Sequence, residues 1–123
     1  MKKILIIEDE AIISFGYRLQ LEQMGFRVTG SAASSAEAEQ LMKQEHPDAI
    51  MMDVYLKGNK TGLDLAREIR ATDPLPIVFL TASNKPEVVD GIKALGGCDY
   101  LLKPIDTDGL NQVLHRIMKG HAA

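Results

Sequence analysis

A chain of 123 residues, 46% hydrophobic and 25% charged, carries enough apolar surface to bury one continuous core, which excludes a disordered chain and predicts a single domain over residues 1–123. Its net charge of −3 argues against direct binding of nucleic acid, because domains that hold nucleic acid by themselves usually carry a basic stripe. The lone cysteine, Cys98, rules out an internal disulfide and suits a reducing compartment.

The first predicted element is a strand, the unbroken apolar run Ile4–Ile7. Behind Lys2-Lys3 it resembles the opening of a signal peptide, but it stops at Glu8-Asp9-Glu10, far short of an apolar h-region. No other segment reaches membrane-spanning length, so the chain is expected in the cytoplasm, without membrane contact. Ile12, Phe15, Leu19 and Met24 then recur on one side of a helix that Gly25 ends, and such a stripe is expected to face the core. Arg27–Gly30 is half polar and suits an edge strand that ends in Ser31, with nothing charged behind it. Ser34-Ser35-Ala36-Glu37 offers a capping box for a second helix, which His46-Pro47 stops.

Ala49–Met52 is a third strand, followed by the polar irregular loop Lys57-Gly58-Asn59-Lys60. Thr61-Gly62-Leu63-Asp64 caps a third helix that carries Leu65, Ile69 and Arg70. Ile77–Leu80 is a fourth strand; Pro86 opens a fourth helix and Gly96-Gly97 close it. Tyr100–Leu102 is a fifth strand, and Asp106 caps a fifth helix with Leu110, Val113, Leu114 and Ile117 on its inner side. His46, His115 and His121 show no ligand spacing and read as surface or helix-end residues, and Cys98 reads as small core filling. Unbroken apolar strands alternating with helices predict an α/β fold with a parallel sheet, because parallel neighbours need crossover helices.

Glu8 and Asp9 follow the first strand, Asp53 the third, Thr81 the fourth and Lys103 the fifth. Open parallel sheets bind ligands outside the carboxyl ends of their strands, so these side chains meet where chemistry is expected. Carboxylates gathered in one cleft raise one another's pKa unless a cation intervenes. Magnesium suits them, since it takes hard oxygen ligands and keeps several waters; Asp9 and Asp53 are candidates for direct ligands, with Glu8 acting through a water. Lys103 supplies a compact positive charge for a phosphoryl oxygen, and Thr81 a hydroxyl that can donate to another. Taken singly, Asp9 could be a turn former, Lys103 the partner of an acidic neighbour and Thr81 a loop cap. Four such coincidences at four strand ends are not a competitive account.

Four motifs in order, Ile4-Leu5-Ile6-Ile7-Glu8-Asp9-Glu10, Ala49-Ile50-Met51-Met52-Asp53, Phe79-Leu80-Thr81-Ala82 and Gly96-Gly97-Cys98-Asp99-Tyr100-Leu101-Leu102-Lys103-Pro104, resemble the receiver domain of two-component response regulators over nearly the whole chain. The resemblance implies a flavodoxin-like, doubly wound five-stranded parallel sheet of order 2-1-3-4-5 with five helices. It implies that Asp53 accepts a phosphoryl group from a partner phosphohistidine, on a sensor histidine kinase or a histidine phosphotransfer protein. By the same resemblance Glu8 and Asp9 are the acidic pair that holds Mg2+, and the backbone carbonyl of Tyr55 joins Asp53 as a further ligand. Thr81 is then the switch hydroxyl, Lys103 the phosphate-binding lysine, Tyr100 the aromatic that changes rotamer, and Lys103-Pro104 a cis peptide. A downstream effector or output domain, and a homodimer formed on activation, are the further partners such a domain would take. The domain would be no enzyme beyond its own phosphorylation and dephosphorylation. Two departures stand out: Val54-Tyr55-Leu56-Lys57-Gly58 lacks the proline that many members carry there, and Tyr55 is bulky where it could shield an acyl phosphate.

Three other readings compete. A haloacid-dehalogenase-type phosphatase would need a second aspartate two residues after Asp53, where Tyr55 stands. A flavodoxin-like cofactor module would need a Ser-, Thr- and Gly-rich loop where Glu8-Asp9-Glu10 repels phosphate. A degenerate receiver that serves only protein contacts would have lost some of these reactive side chains.

Overall fold

The computed structural model describes residues 2–56 and 61–119. The Lys57–Lys60 loop and His121 lie outside the described residues. Ten elements alternate strictly: β1 (Lys3–Ile7), α1 (Ala11–Gln23), β2 (Arg27–Ala32), α2 (Ser35–Glu45), β3 (Ala49–Asp53), α3 (Gly62–Thr72), β4 (Ile77–Thr81), α4 (Pro86–Leu95), β5 (Cys98–Leu102) and α5 (Thr107–Lys119). The strands form one parallel sheet of order β2-β1-β3-β4-β5. The chain therefore reverses direction of growth between β1 and β3, the place where such sheets bind ligands.

Alternation along each strand sends side chains to two faces, and both faces are covered. Ile4, Ile6, Met51, Val78 and Leu80 pack with Tyr17 and Leu21 of α1 and with Leu110, Val113 and Leu114 of α5. Leu5, Ile7, Ile50, Met52, Ile77 and Phe79 pack with Ala38, Leu65, Ala66, Ile69, Val88 and Ile92 of α2, α3 and α4. This double burial is why the strands read as continuous apolar runs.

Local capping sets the helix bounds. The Ser34 hydroxyl accepts from the Glu37 N–H, and α3 opens on a complete reciprocal box between Thr61 and Asp64. Gly25, at a φ of 90°, releases the chain from α1 in a left-handed conformation that suits glycine. The Asp106 carboxylate accepts the Gly109 N–H at 2.8 Å to begin α5.

Three expectations need correction. The stripe Ile12, Phe15, Leu19 does not face the core: Ile12 is 88% and Phe15 59% exposed, and Leu19 is exposed as well. The buried side of α1 is Ile13, Ser14, Tyr17 and Leu21, because α1 docks on the sheet through a line rotated from the more conspicuous apolar one. β2 runs on to Ala32, so Ser31 lies within it, and β5 begins at Cys98, before the run that first suggested it. β5 is also an edge strand.

Candidate functional site

Asp53 is the last residue of β3 and is 4% exposed. Lys103 follows β5; its backbone N–H donates to the Thr81 carbonyl at 2.9 Å, which holds it level with the end of β4. Its Nζ reaches back across β4 and donates to Asp53 Oδ2 at 2.7 Å. The Lys103-Pro104 peptide is cis. Glu8 leaves β1 with its N–H on the Ala32 carbonyl at 2.9 Å, and its Oε1 accepts the Glu10 N–H at 3.1 Å. Asp9 is half-buried beside it, and with Glu8, Ser14, Phe15, Arg18 and Ser31 it lines an open cavity of about 330 Å³.

The sheet divides these residues. By alternation Glu8 continues the Ile4–Ile6 line, Asp53 follows Met51 and Lys103 follows Leu101, all toward the α1/α5 side. Thr81 follows Phe79, toward the side on which Tyr100 packs with α3 and α4. Thr81 is fully buried; its hydroxyl donates to the Ser83 carbonyl at 2.9 Å and accepts the Ser83 N–H at 3.0 Å. The hydroxyl is therefore engaged in a local turn. Tyr100 is half-buried, while the Tyr55 ring is exposed just beyond β3.

Electrostatics follow from this crowding. Burial, reinforced by the neighbouring Asp53 carboxylate, pushes the Glu8 carboxyl from 4.5 up to about 8, against the opposing Glu10 N–H. For Lys103, burial by itself lowers the pKa, but the hydrogen bond and charge of Asp53, joined by Tyr17 and Glu8, outweigh it and raise the value. Glu8 Oε2 is buried without a hydrogen-bond partner. Such an orphan is costly unless something neutralises it.

Carboxylate oxygens with one buried orphan are a donor set that suits a hard divalent cation. Among the described residues no group of three or more His, Cys, Asp or Glu side chains is gathered as a ready-made cage. That is compatible with magnesium, which asks for one or two carboxylates and fills its octahedron with water.

Some residues at the site had no role in the sequence reading. Tyr17 is 8% exposed in α1 and has Lys103, Asp53 and Glu8 as its charged neighbours. The spacing Ile13–Tyr17–Leu21 was the available signal, overshadowed by the more apolar neighbouring stripe. Gly62 opens α3 directly on β3: its N–H donates to the Val54 carbonyl at 2.7 Å, and an added Cβ would stand 2.2 Å from the Asp53 carbonyl oxygen. Only its place in the cap motif marked it beforehand. The Ser14 and Ser31 hydroxyls pair across α1 and β2 at the cavity wall.

The family model described as the response regulator receiver domain matches residues 4–115. The transcriptional regulatory protein AfsQ1 of Streptomyces coelicolor is 37% identical over 120 residues, covering 97% of this chain and 52% of that protein. The transcriptional regulatory protein PdtaR of Mycobacterium tuberculosis is 34% identical over 109 residues, covering 89% of this chain and 53% of that protein. This chain thus spans about half the length of those relatives. Among solved structures, a response regulator receiver domain protein from Clostridium thermocellum superposes with a TM-score of 0.89 at 25% identity, over 99% of this chain and 98% of that one.

Proposed function

The chain belongs to the response regulator receiver domain family, and from that premise we propose that Asp53 is its phosphoacceptor, the whole chain forming one receiver domain. The family is a signalling domain that works with histidine kinases, is generally magnesium-dependent, and is joined in many members to output domains. One observation carries the reading: a nearly buried strand-end carboxylate held at 2.7 Å by a lysine ammonium, with a second buried carboxyl beside it.

The mechanism follows from positioning and charge. An Asp53 oxygen attacks the phosphorus of a phosphohistidine in line; the P–N bond breaks and its electron pair returns to the imidazole. Asp53 gains an acyl phosphate. The Lys103 ammonium, already against Asp53, stabilises negative charge on the transferring oxygens. Glu8 and Asp9, with Asp53 and the Tyr55 carbonyl, are the groups that would hold Mg2+, which supplies further charge neutralisation when bound. Thr81 would exchange the Ser83 carbonyl for a phosphoryl oxygen, a charge-assisted acceptor and so a stronger one. Tyr100 would then turn inward, changing the surface made by α4, β5 and α5. The partners we infer are a sensor histidine kinase or a histidine phosphotransfer protein, an effector or output domain, and a second copy on activation. Among the described residues no helix is long and apolar enough to cross a membrane. We assign the domain to the cytoplasm, where its phosphodonor would meet it, and assign it no catalysis beyond its own phosphorylation and dephosphorylation.

Intact-mass measurement with magnesium and a small acyl phosphate tests the reading. A single phosphoryl adduct on the wild type, absent from Asp53→Asn, is expected. No adduct on the wild type removes the proposal.

A further inference from the structure

We propose that Ser14 of α1 and Ser31 of β2 are positioning residues for the cation site, their paired hydroxyls holding a water that Glu8 shares with the divalent cation. The inference rests on the receiver reading above, which makes that cation magnesium. It deepens that reading, since neither serine belongs to the strand-end set and β2 otherwise brings no side chain to it.

The register of the sheet brings the two hydroxyls to the Glu8 side. Ser31 pairs with Ile6 across β1 and β2. Ile6 packs in the α1/α5 layer, while Ala32, next to Ser31, packs in the opposite one. Alternation therefore turns Ser31 toward α1, and Glu8, two residues after Ile6, leaves β1 on that same face. Ser14 meets this face from the first turn of α1, where its N–H donates to the Glu10 carbonyl at 2.9 Å. It is 6% exposed and shares the buried line of α1 with Tyr17 and Leu21. The two hydroxyls hydrogen-bond to each other, and both serines line the cavity of about 330 Å³ together with Glu8.

Two needs meet in this cavity. A hydroxyl on the core-facing line of a helix is costly unless its hydrogen-bonding capacity is used, and alanine would pack there without that cost. A serine hydroxyl has two acceptor positions beside its donor, so the mutual bond leaves acceptor capacity on both oxygens. Across the same cavity, Glu8 Oε2 is buried and lacks a donor. Magnesium keeps several of its waters, and a water bound to it through oxygen has both hydrogens to give. One goes to Glu8 Oε2 and the other to a serine oxygen. A cavity holds an ordered water where it is roomy and offers polar partners; one water takes roughly 30 Å³. Both conditions are met here. Glu8 and Asp9 line the same cavity and repel negative charge, so an anion is not the occupant. Outer partners of this kind fix the orientation of the groups that face a metal.

Calorimetric titration of the full chain with magnesium chloride tests this, for wild type, Ser14→Ala, Ser31→Thr and Ser31→Val, with metal-free thermal melts alongside. Threonine and valine share a shape and differ in the hydroxyl. Ser14→Ala and Ser31→Val should weaken magnesium binding about tenfold, while Ser31→Thr should keep the wild-type affinity. A lower metal-free melting temperature with unchanged magnesium affinity reduces the pair to a tie between α1 and β2 and overturns the inference. Equal weakening by Ser31→Thr and Ser31→Val overturns it as well. A wild type that binds no magnesium removes the cation site and this inference together. A phosphoryl adduct on the wild type, with magnesium affinity indifferent to both serines, removes this inference alone; serine-dependent magnesium binding without any adduct supports it and removes only the acceptor chemistry. In the unsubstituted protein, the Ser14 and Ser31 β-carbon NMR signals should shift with added magnesium in step with the Glu8 carboxyl carbon. Serine signals that stay fixed sink the proposal even if the variants fold poorly.

Discussion

At the scale of single residues, the site is organised by how few places its charges can go. Glu8, Asp53 and Lys103 are crowded into one buried corner, and only one strong ion pair forms among them. Removing the cation should therefore be severe: Lys103→Ala is expected to slow phosphorylation by roughly a hundredfold or more, as loss of one transition-state donor typically does. Steady rates from intact mass would check it, and a change under threefold would deny Lys103 that role. Glu8 makes a prediction with a definite sign. Its folded pKa of about 8 lies above the unfolded 4.5, so between these values the folded state binds more protons than the unfolded one. Stability without metal is then highest below that window and falls as pH rises through it. Thermal melts from pH 5 to 8 should show this decline, and Glu8→Gln should flatten it. Added magnesium should raise the melting temperature most at the upper end of the window and release protons on binding at pH 7.

At the scale of elements, two interfaces decide the geometry. α3 begins against the end of β3, where glycine alone leaves room: Gly62→Ala would drive a Cβ onto the Asp53 carbonyl. A loss of about 2 kcal/mol or more in unfolding free energy, read by denaturant titration, is expected, together with slower phosphorylation. α1 meets the sheet through Ile13, Tyr17 and Leu21, leaving Ile12, Phe15 and Leu19 outside. Leu21→Ala should cost about 2–5 kcal/mol, while Ile12→Ser and Phe15→Ser should stay within about 0.5 kcal/mol. Phe15 also lines the cavity beside Glu8 and Asp9, so an exposed apolar side chain stands next to two of the acidic residues. Phe15→Ser is expected to keep its rate with a small phosphodonor and lose rate with a phosphorylated protein donor. Equal rates with both would leave the side chain without that use.

At the scale of the whole molecule, the sheet separates the proposed acceptor site from the proposed switch pair. Asp53, Glu8 and Lys103 project to the α1/α5 side, while Thr81 and Tyr100 belong to the side packed by α3 and α4. On the proposed chemistry, a phosphoryl group on Asp53 would meet both layers, and a local change of charge would then bias a larger surface. Hydrogen exchange should report it: phosphorylation is expected to alter protection in α4 and β5, and Thr81→Val should accept the phosphoryl group yet mute that change. Unaltered exchange in the phosphorylated wild type would rule the switch out.

The order of elements, the parallel sheet and the strand-end set Glu8, Asp9, Asp53, Thr81 and Lys103 were all legible in the chain itself. The physical reason is local: strands buried on both faces must be unbroken apolar runs, and each run announces where it stops. The cap motifs at Ser34, Thr61 and Asp106 were legible for the same reason, since a cap satisfies backbone groups within three residues of itself. The face of α1 was not. Its two candidate stripes differ by a small rotation about one axis, and composition favoured the stripe that tertiary packing leaves in solvent. Nor could the chain reveal that Tyr17 lies beside Lys103, that Gly62 abuts Asp53, or that the Thr81 hydroxyl is turned to Ser83. Each of these depends on a distance set by how α1, α3 and the sheet dock, and docking is decided by the summed burial of many residues at once.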